Sequence, residues 1–149
     1  MLQSSSPEVL AKFGPLDQLL GLPSRMRSNH DSEEGGDPEG ARNMARDVTS
    51  VASSCPDTAI VMSGYSQGAQ LVHLSASQIS SSVQNRVNAV VVFGDPDNGD
   101  GFPGVLNGRS ITFCANGDNI CDGGVIVLPA HLSYGSNAGQ AADFVVSRV

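Results

Sequence analysis

Residues 58–69 have the sequence Thr-Ala-Ile-Val-Met-Ser-Gly-Tyr-Ser-Gln-Gly-Ala, and this stretch decides the fold. Its first six residues form a largely unbroken apolar run, which is typical of a parallel strand that is covered on both faces. Residues 64–68 predict a tight turn, and residues 69–78 predict a helix that follows it directly. A buried strand that passes through a short turn into a helix indicates an α/β fold.

The segments on both sides continue this alternation of helix and strand. Residues 37–53 predict a helix, because Asp37 suits the N-cap, Pro38 suits the first helical position and apolar residues recur at helical spacing. Three further elements are predicted, namely strands at residues 87–93 and 111–113 and a last helix at residues 141–149. This order predicts a parallel sheet with right-handed crossover connections.

Residues 1–34 differ from the rest of the chain because they show no clean hydrophobic periodicity. We expect an atypical, poorly structured N-terminal segment there, with at most one short helix near residues 8–13. The first residues also lack the charged and apolar regions of a secretory signal peptide. Residues 35–149 are therefore expected to form the single domain.

Composition excludes several classes of partner. The chain has 149 residues, with 8 Lys and Arg against 15 Asp and Glu, and a net charge of −7. Such an acidic balance argues against nucleic acid and against an anionic membrane surface as partners. No apolar run approaches the roughly 18 residues of a membrane span.

The turn at residues 64–68 is a Gly-x-Ser-x-Gly motif with Ser66 at its centre. A serine at a sharp strand-to-helix turn has an exposed hydroxyl, and the following helix offers free N–H groups where an oxyanion develops. The glycines are expected to remove Cβ atoms that would collide with neighbouring elements. The alternative is an ordinary glycine-rich turn without chemistry.

A serine nucleophile needs a base, and the chain has three histidines. His131 is favoured, because it lies late in the chain in a loop that follows an apolar segment. His30 lies in the N-terminal segment, and His73 is too close to Ser66 on the same helix, where a packing histidine is expected. The orienting acid is sought between serine and histidine, and the candidates are Asp95, Asp97, Asp100, Asp118 and Asp122.

The three cysteines are Cys55, Cys114 and Cys121. The spacing of the last two suits a small disulfide-closed loop, although two reduced cysteines remain an alternative and a zinc site is less favoured. Asp118 is the favoured acid, because it lies inside this loop and the disulfide would hold it rigidly. Cys55 is then expected to be a free thiol.

Five motifs along residues 35–149 resemble the cutinase family of fungal serine esterases. They are Cys-Pro-Asp-Thr (55–58), Gly-Tyr-Ser-Gln-Gly-Ala (64–69), Val-Phe-Gly-Asp-Pro (92–96), Cys-Ala-Asn-Gly-Asp-Asn-Ile-Cys (114–121) and His-Leu-Ser-Tyr-Gly (131–135). The resemblance implies a three-layer α/β/α sandwich of the α/β-hydrolase type, stapled by a disulfide and secreted. It also implies hydrolysis of carboxylic esters, in polymers such as cutin or in small soluble esters.

Site residues follow from the same resemblance. Ser66 is implied as the nucleophile, His131 as the general base and acid, and Asp118 as the orienting carboxylate. The backbone N–H of Gln67 would donate to the oxyanion hole. Three apolar residues beside the histidine would line the acyl groove, namely Val125, Val127 and Leu132. We expect no cofactor, no metal and a monomer whose partner is the ester substrate.

The N-terminal segment departs from the family pattern. Family members begin with a signal peptide and a first strand, whose loop supplies a second oxyanion donor and whose cysteine pairs with the equivalent of Cys55. Residues 1–34 match none of this, so we expect a truncated cutinase fold that lacks its first strand and hydrolyses esters weakly. An acetylxylan esterase of the same fold is one alternative, and a catalytically inactive fragment is another.

Overall fold

The computed structural model describes the backbone of Val9–Phe13 and all of residues 36–149. The described residues contain one four-stranded sheet with strand order β1-β2-β3-β4, in which every neighbouring pair is parallel. Its strands are β1 (Val9–Phe13), β2 (Ala59–Tyr65), β3 (Val87–Phe93) and β4 (Ser110–Phe113). The predicted α/β class with a parallel sheet is therefore confirmed.

Four α-helices connect or follow these strands. They are α1 (Pro38–Ser54), α2 (Gln67–Ala76), α3 (Ser81–Gln84) and α4 (Ala138–Val146). Short 3-10 helices cover Gly104–Arg109, Asn119–Asp122, Pro129–Leu132 and Tyr134–Asn137. The side chain of Asp37 accepts hydrogen bonds from the backbone N–H groups of Glu39 and Gly40, so the predicted N-cap of α1 is confirmed.

Two apolar clusters cover opposite faces of the sheet, as a three-layer sandwich requires. Side chains of a strand alternate between the faces, so Met62 packs on one side and Val61 on the other. The Met62 side carries the buried residues of α1 and α2, and the Val61 side carries Ala141 of α4 together with Tyr134. The continuous apolar character of β2 therefore reflects burial on both faces.

The short helix expected near residues 8–13 is wrong, because these residues form β1. Val9 pairs with Ala59 and Phe13 pairs with Ser63, so β1 extends the sheet by a fourth strand where we expected none. A strand of five residues obtains its backbone hydrogen bonds from a distant partner, which local sequence preference does not reveal. His30 and the rest of residues 1–8 and 14–35 lie outside the described residues.

The remaining boundaries agree with the predictions to within about three residues. Among the described residues, no helix combines the length and apolarity needed to cross a bilayer. All strands run in the same direction, so the turns that follow β2, β3 and β4 lie at one edge of the sheet, where parallel α/β folds place their sites.

Candidate active site

Ser66 occupies a strained turn between β2 and α2. It is the one non-glycine residue among those described that has a positive φ, with φ 55° and ψ −121°. The turn is fixed by hydrogen bonds on both sides, because Ser66 N donates to Phe93 O at 2.9 Å and Ala69 N donates to Ser66 O at 2.9 Å. Backbone strain of this kind is characteristic of functional turns.

The two glycines of the motif serve different purposes. A Cβ on Gly64 would lie 2.2 Å from the carbonyl oxygen of Gly68, so only glycine fits there. A Cβ on Gly68 would meet nothing within 4 Å, so the expected collision is wrong for that position. Glycine is therefore required at position 64, because the backbone of Gly68 passes close to it.

Gln67 is the first residue of α2. A backbone N–H at this helical position has no acceptor within its own helix, and the helix dipole places partial positive charge there. The role of Gln67 as an oxyanion donor stays a prediction.

Asp118 and His131 form a buried pair. His131 Nδ1 lies 2.8 Å from Asp118 Oδ2, and the two residues are 2% and 1% exposed. Asp118 Oδ1 accepts a further hydrogen bond from Ile120 N at 3.0 Å. Of the five carboxylates considered from the sequence, Asp118 is the one that the structure brings to His131.

The Asp118 loop is closed by the Cys114–Cys121 disulfide, whose Cα atoms are 6.0 Å apart. This confirms the disulfide reading of the spacing over the zinc site and the reduced pair. Cys55 carries a free thiol, as predicted.

Two tyrosines contact this pair, and neither contact was predicted from the sequence. The Tyr65 hydroxyl donates to the backbone oxygen of His131 at 2.8 Å, and its ring stacks on the imidazole with centroids 4.9 Å apart. The Tyr134 hydroxyl donates to Asp118 Oδ2. A signal was present, since the chain has two tyrosines and each lies within three residues of Ser66 or His131.

These contacts govern the ionisation of the buried groups. Burial disfavours the Asp118 carboxylate, but hydrogen bonds from Tyr134 and His131 outweigh burial and hold the pKa of Asp118 below its usual value. Burial, together with the hydrogen bond to Asp118, raises the pKa of Tyr134 to about 12. At neutral pH Asp118 is therefore an ionised carboxylate, which accepts hydrogen bonds from the neutral Tyr134 phenol and from the His131 ring.

Residues adjacent to the Ser66 turn lie against the ring of His131. Tyr65 stacks on the imidazole, and Gly94 follows Phe93, which accepts the hydrogen bond of Ser66 N. A Cβ on Gly94 would lie 2.7 Å from His131 Cε1. Within the described part of the chain, no hydrogen bond joins Ser66 Oγ to the imidazole, so that contact stays a prediction. Such bonds commonly tighten only when substrate binds.

An exposed apolar strip flanks His131, and we define it as residues 125–128 together with Leu132. Val125 is 84% exposed, Val127 is 59% exposed and Leu132 is 71% exposed. Ile126 N donates to Asn119 Oδ1 at 3.0 Å, which ties the strip to the loop that carries Asp118. The three predicted groove residues are therefore exposed, and Leu132 directly follows His131 in the chain.

His73 belongs to a separate cluster. Its Nε2 lies 2.8 Å from Asp95 Oδ2, and its ring stacks on Phe102 with centroids 4.1 Å apart. His73, Asp95 and Asp97 offer three possible metal-ligand atoms that lie within 4.8 Å of one another, beside a cavity of about 270 Å³. The imidazole and Asp95 already satisfy each other, so His73 is the packing histidine that the sequence predicted.

Charges around His73 act on its ionisation. Burial lowers the pKa of His73, but the Asp95 carboxylate and the nearby charges of Asp97 and Asp100 outweigh burial, so the pKa lies above its ordinary value. Asp95 thus bonds His73, whereas the carboxylate that bonds His131 is Asp118.

Comparisons with known proteins by sequence all point to one family. A family model described as cutinase matches residues 25–149. A cutinase of Botryotinia fuckeliana is 52% identical over 112 residues, which cover 75% of this chain and 55% of that protein. A cutinase of Monilinia fructicola is 49% identical over 112 residues, which cover 75% of this chain and 56% of that protein. The chain spans about half the length of the curated relatives it matches.

Solved structures of related proteins have a similar fold. A Trichoderma reesei cutinase in complex with a phosphonate inhibitor superposes with a TM-score of 0.71 at 42% identity, covering 74% of this chain and 50% of that chain. An acetylxylan esterase superposes with a TM-score of 0.63 at 29% identity, covering 73% of this chain and 69% of that chain.

Proposed function

The chain belongs to the cutinase family, and we propose that it hydrolyses carboxylic esters with Ser66 as nucleophile, His131 as general base and acid, and Asp118 as the orienting carboxylate. The observation that carries this proposal is the buried hydrogen bond between Asp118 and His131, next to the strained turn at Ser66. A serine hydroxyl is a weak nucleophile until such a base is aimed at it.

The proposed reaction has two acyl-transfer steps. Because the Asp118 carboxylate accepts a hydrogen bond from Nδ1–H, His131 keeps Nε2 free to take the hydroxyl proton of Ser66. Ser66 Oγ then attacks the ester carbonyl, and the imidazolium returns the proton to the departing alcohol. Water, deprotonated by the same imidazole, cleaves the acyl-serine and releases the carboxylic acid.

Gln67 supports the developing negative charge in this scheme. Its backbone N–H lies in the first turn of α2, where the helix dipole would add to a hydrogen bond with the oxyanion. Loss of one such donor costs roughly 10²–10³ in rate in serine hydrolases.

The apolar strip favours esters whose acyl group carries an alkyl chain. An alkyl chain or a polyester segment that covers Val125, Val127 and Leu132 would remove exposed apolar surface from water, at about 25 cal/mol per Å². We therefore propose cutin-type polyesters or short-chain esters as substrates. Acetylated polysaccharide is the second candidate, supported by the structural likeness to acetylxylan esterase, although an acetyl group is too small to cover the strip.

The disulfide supports an extracellular setting for this chemistry. Disulfides such as Cys114–Cys121 persist in oxidising compartments and are rare in the cytosol. We propose a secreted, monomeric enzyme that meets its ester substrate outside the cell.

The test compares hydrolysis of 4-nitrophenyl butyrate, 4-nitrophenyl acetate and acetylated xylan by the wild type and two serine variants. We expect Ser66→Ala to abolish turnover, and Ser133→Ala to retain it, because the exposed Ser133 beside His131 only binds Ala130 O. A fluorophosphonate should label Ser66 in the wild type, as located by mass spectrometry.

Two outcomes would contradict the proposal. Label on another residue, or turnover that survives Ser66→Ala, would exclude Ser66 as nucleophile. Folded wild-type protein without turnover and without label would support the inactive fragment instead. Preference for acetylated xylan over butyrate would favour the second candidate.

A further inference from the structure

We propose that Tyr134 is a positioning residue of this site, whose hydroxyl holds the Asp118 carboxylate in the orientation that receives His131. This inference rests on the proposed ester hydrolysis and adds a fourth side chain to the three that the sequence predicts. Tyr134 does not touch the reacting atoms, and it acts through Asp118.

The hydroxyl of Tyr134 has three polar neighbours, Ala115 N, Asp118 Oδ2 and Cys121 Sγ, of which the sulfur is the most distant at 3.7 Å. Its oxygen accepts a hydrogen bond from Ala115 N at 2.9 Å, so its own proton is directed to Asp118 Oδ2. Tyr134 is itself buried, with 8% exposure, and water does not compete for this proton. The phenol thereby bridges two points of the disulfide-closed loop, Ala115 and Asp118.

Asp118 receives three donors in total. Ile120 N donates to Oδ1, while Tyr134 and His131 share Oδ2. Three hydrogen bonds in fixed directions determine the plane of the carboxylate, and this plane determines the orientation of the imidazole ring. Without the phenol, His131 would be the sole side-chain donor to Asp118, and the carboxylate could rotate about the bond to Ile120.

Tyr134 also keeps the proton on the imidazole during the reaction. Asp118 must stay ionised when His131 becomes positively charged, because its function is to orient and stabilise the imidazolium. A buried carboxylate with fewer donors holds a proton more tightly. The hydrogen bond from Tyr134 lowers the pKa of Asp118 and so opposes proton transfer from Nδ1.

Tyr65 offers a matched control for this inference. Both tyrosine rings contact the imidazole, Tyr65 by stacking at 4.9 Å and Tyr134 edge-on at 6.2 Å with an interplanar angle of 90°. The Tyr65 hydroxyl, however, donates to the backbone oxygen of His131 and not to Asp118. Phenylalanine at either position removes one hydrogen-bonded hydroxyl, but only at position 134 does the carboxylate lose a donor.

The experiment measures kcat and KM for 4-nitrophenyl butyrate between pH 5 and 9 in the wild type, Tyr134→Phe and Tyr65→Phe. We expect Tyr134→Phe to lower kcat about tenfold or more with KM unchanged, since a hydrogen bond to a charged group is lost. The acid limb of kcat/KM, which reports proton uptake by the Asp118–His131 pair, should move up by roughly half a pH unit or more. Tyr65→Phe should leave this limb in place.

A second perturbation avoids any deletion of the hydroxyl. In the Tyr65→Phe background Tyr134 is the one remaining tyrosine, so biosynthetic incorporation of 3-fluorotyrosine alters this phenol alone. Fluorination makes the phenol more acidic and a stronger donor, and the acid limb should move to lower pH, opposite to Tyr134→Phe. This result would hold even if Tyr134→Phe failed to fold.

The outcomes separate this inference from the proposed function. Unchanged kcat and an unchanged acid limb in Tyr134→Phe, or equal losses in both tyrosine variants without a pH shift, would overturn the positioning assignment. If the wild type does not hydrolyse esters, the proposed function fails, and the low-field proton resonance of His131 Nδ1–H then decides whether Tyr134 orders the pair. A resonance unaltered by fluorination at position 134 would contradict the inference.

Discussion

Replacement of Ser66 by glycine is expected to stabilise the fold relative to replacement by alanine. Both variants remove the hydroxyl and differ only in the methyl group at a residue with φ 55° and ψ −121°. This conformation is the mirror image of ordinary extended backbone, so achiral glycine adopts it freely, whereas a Cβ is strained there. Such strain costs on the order of 1–3 kcal/mol.

The net effect follows from two opposing quantities. Glycine gains relief of that strain but loses about 0.5–1 kcal/mol through the greater entropy of its unfolded state. The free energy of unfolding of Ser66→Gly should therefore exceed that of Ser66→Ala by up to about 2.5 kcal/mol. Urea titration measures this difference in free energy. For a domain of this size the melting temperature of Ser66→Gly should also exceed that of Ser66→Ala by a few degrees, as followed by circular dichroism.

Ser77 provides the matched comparison at the end of the same helix. It has φ −74° and ψ −17°, which are ordinary helical values, and its hydroxyl binds a backbone oxygen. There Ser77→Gly should be less stable than Ser77→Ala. If the glycine variant at position 66 is also the less stable one by a similar amount, the turn is not strained and the reasoning is refuted.

Three further predictions concern the rest of the molecule. Thiol titration of the denatured, unreduced protein should find one free thiol, that of Cys55, and three would contradict the disulfide. The pKa of His73 is raised in the folded state, so its stabilising interaction with Asp95 is fully present below about pH 6.5 and is lost as pH rises through the folded pKa. In His73→Gln, the free energy of unfolding from urea titrations should no longer include this loss between pH 5 and pH 9. If the variant loses as much stability over this range as the wild type, the prediction for His73 is refuted. Val125→Ser and Leu132→Ser should raise KM for 4-nitrophenyl octanoate by about threefold or more without changing KM for the acetate, and equal effects on both esters would exclude the strip as the acyl groove.

The sequence predicted those parts of the site that depend on local geometry. Ser66 was identifiable because a strand, a tight turn and a helix follow one another within twelve residues, and Gly64 is needed where the backbone of Gly68 passes. The loop around Asp118 was identifiable because two cysteines seven residues apart enclose it. Both inferences use the chemistry of a short segment, and the structure has the same local arrangement.

The contacts that the sequence missed join residues that are far apart in the chain. Tyr134 meets Asp118 across 16 residues, and Tyr65 meets His131 across 66 residues. The nearness of each tyrosine to Ser66 or His131 in the chain was a signal, but no spacing rule relates a phenol to its hydrogen-bond partner, so neither contact could be identified. The pairing of His73 with Asp95, across 22 residues, likewise depends on which loop α2 faces.

The sequence by itself determined the order of α1, β2, α2, β3, β4 and α4, the disulfide loop and the sharp turn at Ser66. Each depends on hydrophobic periodicity, turn residues or covalent reach, which act over a few residues. The tertiary structure alone decided that Val9–Phe13 forms an edge strand beside β2 and that two tyrosines enclose the imidazole. Strand pairing and side-chain hydrogen bonds between distant residues gain their energy only when the whole sheet is assembled, because burial then removes the competition of water.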